Sequence, residues 1–246
     1  MTTDHKPPAV ELFLLGGVEL RGSPDSAHKL LAQSKAVALL AFLALSPARR
    51  FQRRDTLVGL LWPELDQARA RADLRKTVHN IRGVLGAEVI ESRGDDELAI
   101  SSRVLWCDVD EFNAASDGGR LAHALELYRG DLMPGFFLRD CVEFERWLDG
   151  QRAAAEERFV AASWAMAVAF EGERNYTKAG HWARRAVHHA WNNERVLRRV
   201  LSMLDRIGDR AGAMKLFDDF SMRLSADLGV RPSRETLELV EQIRAR

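Results

Sequence analysis

Between Arg49 and Arg82 the chain carries nine arginines and lysines against four aspartates and glutamates, although its formal net charge over 246 residues is zero. Guanidinium and ammonium groups at this density make charge-assisted hydrogen bonds to phosphate, and Arg or Lys can also address guanine edges in a major groove. Local clustering of positive charge, not the whole-chain balance, is the electrostatic footprint of nucleic-acid binding. A solvated helix face would show the same charge, so the spacing of the residues has to decide.

On a helix, residues three and four apart share a face. Leu74, Val78, Ile81 and Leu85 follow that spacing and form an apolar stripe. At 100° per residue, Arg69, Lys76 and His79 then point away from the stripe, and Arg71, Arg75 and Arg82 flank it. Such a helix can lie in a major groove with its apolar side on a core. Arg53 and Arg54 begin the preceding helix, where helix-turn-helix domains hold the phosphate backbone. Arg49 and Arg50, in the turn before it, are weaker candidates.

Other chemistry finds little support. The sequence has no phosphate-binding GxxxxGK[ST], no GxGxxG after a strand, no HExxH and no GxSxG, so no enzyme class is indicated. The seven histidines and the two cysteines, Cys107 and Cys141, show no ligand spacing, and we expect neither a metal nor a cofactor. Two thiols suit a reducing cytoplasm. Trp62 and Trp106 read as core, and His188-His189 as a helix end where positive charge meets the dipole. No apolar run approaches the length of a membrane span, and residues 1–10 lack the pattern of a signal peptide.

The elements that must position the cationic cluster follow a recognisable order. Residues 10–22 read as two short strands broken by Gly16-Gly17. Ser34 is placed to cap an apolar helix over 35–45, a second helix runs over about 54–62, and Asp66 caps a third that Gly86 stops. Residues 88–92 and 97–101 alternate as a hairpin around Arg93-Gly94-Asp95-Asp96. Strands, three helices and a hairpin make a winged helix-turn-helix. Beyond Asp108 helical periodicity takes over, with helices near 143–170, 176–190, 194–207, 211–228 and 233–244. Ala179 and Ala213, Trp182 and Leu216, and Ala186 and Phe220 each lie 34 residues apart, the period of tetratricopeptide repeats. The expected fold is mainly α: an N-terminal winged helix-turn-helix with small β-sheets and a hairpin wing over 1–106, then an all-α tetratricopeptide-like domain over 107–246.

With those residues in view, the chain resembles a known family along most of its length. SKAVALLAFLALSPARRFQRRDTLVGLLWPE and ARARADLRKTVHNIRGVLG are similar to the OmpR-like winged helix of the Streptomyces antibiotic regulatory protein family. WCDVDEF at 106–112, LYRGDLMPGF at 127–136, EFERWLDGQR at 143–152 and LGVRPSRETLEL at 228–239 resemble that family's bacterial transcriptional activation domain. The resemblance implies an activator that binds tandem direct repeats of double-stranded DNA near promoters, often two copies side by side. It also implies recruitment of RNA polymerase, through its sigma or alpha subunit. By position, the recognition helix is about 68–85, and the wing includes Arg93. Two departures stand out: Gln52 replaces a frequent capping Ser, and the wing carries Asp95, Asp96 and Glu97. The acidic wing keeps a second reading open, an interaction adaptor that no longer binds DNA. A third, an enzyme with a pocket among the helical repeats, has no motif behind it.

Overall fold

The carboxylate of Asp66 accepts hydrogen bonds from the backbone N–H groups of Ala68 and Arg69, which starts a 19-residue helix, Gln67–Leu85. That helix positions the cationic cluster. Its buried residues are Ala70, Leu74, Val78, Ile81 and Leu85, the stripe expected from spacing alone, and Gly86 ends it at φ 102°. The computed structural model describes residues 10–22 and 27–246. Residues 1–9, which hold nearly all of the stretch read as lacking a signal peptide, lie outside the described residues.

Two compact units divide the chain: residues 1–114 with 126–155, and 115–125 with 156–246. In the first, β1 (Val10–Phe13), β2 (Glu19–Arg21), α1 (Ala27–Leu31), α2 (Ser34–Ala44), β3 (Gln52–Arg53), α3 (Arg54–Leu61), α4 (Gln67–Leu85), β4 (Ile90–Arg93), β5 (Glu97–Ile100) and β6 (Leu105–Cys107) follow in order. One sheet has the order β2-β1-β6, with β1 antiparallel to β2 and parallel to β6. The other, β3-β5-β4, is antiparallel and contains the hairpin, with Arg93 opposite Glu97. This is the winged-helix arrangement, with α2, α3 and α4 as its three helices.

Several local expectations need correction. Ser34 is the first residue of α2, not its cap; Gln33 holds the cap position, without a side-chain bond. α2 is buried along most of its length, so packing rather than capping fixes where it begins. Gln52 does not cap α3 either, because it belongs to β3 and Arg53 occupies the cap position. The strands β3 and β6 are two and three residues long, too short for an alternating pattern to reveal. Trp106 is half-buried, its ring 5.3 Å from that of Phe13, while Trp62 is fully in the core. Both cysteines are buried free thiols, not joined in a disulfide.

Residues beyond 106 hold the first unit together. Asp108 opens α5 (Asp108–Asp117) and is completely buried. Its two carboxylate oxygens accept the N–H groups of Leu14 at 2.9 Å and Leu15 at 3.0 Å, just past the end of β1. Arg49 turns inward to Asp110 at 2.7 Å and to the carbonyl of Leu105, so it is committed to structure. Gly16, at φ 86°, approaches Gly130 so closely that a Cβ on Gly130 would lie 3.0 Å from the Gly16 Cα, tighter than side chains ordinarily pack, and the left-handed backbone at Gly16 favours glycine there too. Arg152 donates to the carbonyls of Leu132, Met133 and Phe136 and so satisfies three acceptors of an irregular loop.

The second unit takes the latter part of α5, α6 (Leu121–Leu127) up to residue 125, and α7 (Val142–Gly172) from residue 156. It continues with α8 (Tyr176–His189), α9 (Glu194–Arg206), α10 (Arg210–Leu228) and α11 (Arg234–Arg244). The 34-residue repeat has a packing basis. Ala179, Ala213, Ala186 and Phe220 are buried, whereas Trp182 and Leu216 both sit at the margin of the same core. Even the caps repeat: Asn175 accepts from the N–H of Lys178 and Asp209 from that of Gly212, so α8 and α10 are equivalent elements. Glu194 joins the second helices by accepting from the N–H and hydroxyl of Ser233 and from Thr236. Burial would raise its pKa, but these bonds outweigh burial and hold it low.

Candidate nucleic-acid interface

With its apolar stripe on the core, α4 turns Arg69, Arg71, Arg75, Lys76 and His79 outward, and all five are exposed. Two of these cations have local partners. Arg69 pairs with the capping Asp66 at 3.2 Å and Arg71 with Asp55 of α3 at 2.6 Å. Both pairs are well exposed, so they are weak and exchangeable.

Arg53 and Arg54 at the start of α3, Arg71 and Arg75 on α4, and Asp95 and Asp96 at the hairpin tip line one cleft of about 320 Å³. The backbone N–H of Arg54 donates to the carbonyl of Asp96 at 2.7 Å, which fixes the tip beside the helix. The Arg54 Nε is buried and finds no hydrogen-bond partner among the described residues. Burial lowers the Arg54 pKa, as do the neighbouring Arg82 and Arg75 guanidiniums, while Asp95 and Asp96 oppose them. A cluster of guanidiniums that repel one another around an unsatisfied donor favours an incoming anion.

Two further expected contacts have partners within the domain. Arg82 is half-buried and donates to the carbonyl of Ile90 at 2.7 Å and the hydroxyl of Ser92 at 2.9 Å, so it fastens α4 to β4. Arg93 forms an ion pair with Glu97 across the hairpin, and its guanidinium lies 4.6 Å from the centre of the Phe51 ring. The sequence singled out Arg82 by helical angle, which cannot tell a solvent-facing flank from one that meets a neighbouring strand. Asp55, which engages Arg71, was not foreseen, because the contact spans two helices.

A family model described as the bacterial transcriptional activator domain matches residues 107–244. The chain belongs to that family. The match agrees with the resemblance carried by the segments at 106–112, 127–136, 143–152 and 228–239. A solved structure described as Mycobacterium tuberculosis EmbR in complex with a low affinity phosphopeptide superposes with a TM-score of 0.57 at 22% identity. The alignment covers 96% of this chain and 65% of that one; at this identity the likeness concerns the fold. A search of curated proteins found no match.

The activator-domain match starts at residue 107, one position before Asp108, and its residues 107–114 and 126–155 fold within the first compact unit. The family's sequence segment and the physical unit therefore have different limits. Among the described residues, no group of His, Cys, Asp and Glu could hold a metal ion, and no helix is long and apolar enough to cross a membrane.

Proposed function

We propose that this chain is a cytoplasmic, sequence-specific DNA-binding transcription activator, which binds tandem direct repeats near promoters and recruits RNA polymerase. The observation that carries the reading is the outward cationic face of α4 on a winged-helix framework, continuous with a bacterial transcriptional activator domain. Lys76, Arg75, Arg69 and His79 read or flank base edges; Arg53, Arg54 and Arg71 hold phosphates. Residues 1–106 supply these contacts and residues 107–246 serve activation, by meeting a neighbouring copy on DNA and the sigma or alpha subunit of polymerase. The test is in-vitro transcription from the chain's own upstream region, with and without the protein. A rise that depends on intact operator repeats supports the reading, and an unchanged transcript level refutes it.

A second reading, an adaptor without DNA binding, has one observation in its favour: Asp95 and Asp96 line the same cleft as the arginines. In the DNA-binding reading these carboxylates merely restrain affinity. Replacing both with asparagine should then tighten DNA binding severalfold at low salt, and the gain should shrink as salt screens the charges. If the double variant and the parent both ignore DNA, the adaptor reading stands.

A further inference from the structure

Between α8 and α10 lies a cavity of about 610 Å³, within the ~300–1,000 Å³ typical of small-molecule sites. Val187, Leu216, Phe220 and Trp191 give it an apolar wall, and Arg185 and Arg223 stand at the same cavity. Rings rather than strong ion pairs place both guanidiniums. Arg223 lies 4.3 Å from the centre of Trp191, and Arg185 lies 5.0 Å from Phe159 and 4.9 Å from Trp182. Arg185 meets no carboxylate among the described residues, and Arg223 reaches Asp227 only at 3.4 Å. A third arginine, Arg184, is bound to Asp209 at 2.7 Å, and among the described residues Asp219 is the single carboxylate on the wall. A guanidinium held by an aromatic ring spends few of its N–H donors on that contact, and the fork they form matches a carboxylate.

We infer that this cavity binds a small organic acid, a carboxylate carried on an aromatic or similarly flat apolar body. The apolar wall takes the body, and Arg185 and Arg223 take the charge. Neither group alone would suffice, since inorganic anions gain nothing from the wall and neutral aromatics leave the arginines unanswered. This inference does not depend on DNA binding, and its test contains no DNA.

The experiment is isothermal titration of the full chain with 1-naphthoate, 1-naphthamide and inorganic phosphate. Saturable binding of one naphthoate per chain is expected, with the amide and phosphate each weaker by at least about tenfold. Arg185→Met and Arg223→Met should each weaken naphthoate about tenfold, with helical content and melting unchanged by circular dichroism. Should either methionine variant unfold, Arg185→Lys and Arg223→Lys keep the charge, lose the fork, and should still bind less tightly. Equal binding of acid and amide, no saturation, or undiminished binding by folded variants would overturn the inference. So would an acidic octapeptide that saturates with the same arginine dependence where naphthoate does not bind, because the face would then be a peptide groove.

Discussion

Replacing Asp108 with alanine is expected to destabilise the protein by roughly 3–5 kcal/mol, the usual cost of removing one partner from a buried charged network. The carboxylate is fully buried and holds the N–H groups of Leu14 and Leu15; without it both donors are orphaned in the core. Urea unfolding of the parent and variant measures the difference. The same carboxylate has a signature in pH. Burial pushes its pKa up to about 6, against the Leu15 and Leu14 N–H bonds and the Arg129 charge, which pull it down. The folded protein thus binds this proton more tightly than the unfolded chain. Its contribution is least favourable above about pH 6 and improves as pH falls toward the ordinary value of 3.8, by about 3 kcal/mol in all. Asp108→Asn cannot titrate, so parent stability relative to this variant should rise on acidification from pH 7 to about 4. A relative fall would mean that the carboxylate is not buried as a charge.

What could be read from the sequence, and what could not, follows from the range of the interactions involved. The stripe Leu74, Val78, Ile81 and Leu85 and the cap at Asp66 are local, set by neighbours within a turn or two, and both stand in the structure. The hairpin is local too. Asp108 is different: its partners lie 94 and 93 positions away, and an aspartate at a helix start looks like any other first-turn acid. Gly16 reads as a break between two strands, and nothing in its segment or in that of Gly130 announces that the two backbones approach so closely. The cationic face on α4 was legible from periodicity, whereas the diversion of Arg82 to β4 and of Arg49 to Asp110 needed the fold.

Those diversions sharpen the second large effect. Lys76→Ala and Arg75→Ala should weaken binding to the specific operator by ~1–3 kcal/mol each, and weaken binding to unrelated DNA much less. Arg53→Ala and Arg54→Ala should weaken both kinds of binding alike, because phosphate contacts carry no sequence information. Leu74→Ala is the contrasting case. Its side chain is fully in the core, so its loss should cost ~2–5 kcal/mol of stability and abolish binding through unfolding. Competition gel shifts with specific and scrambled duplexes separate these classes. Uniform losses across all four arginine and lysine variants would mean that α4 does not lie in the groove.

The central claim, that this chain grips DNA through the positive cluster of α3 and α4, is tested most directly by fluorescence anisotropy with a duplex from its own upstream region over a salt series. The logarithm of affinity should fall linearly with the logarithm of salt concentration, with a slope of ~0.9 for each phosphate neutralised. The steepness should shrink by about one such unit in Arg53→Ala. A folded chain that leaves the duplex unbound at low salt, or binds it with an affinity indifferent to salt, would contradict the account.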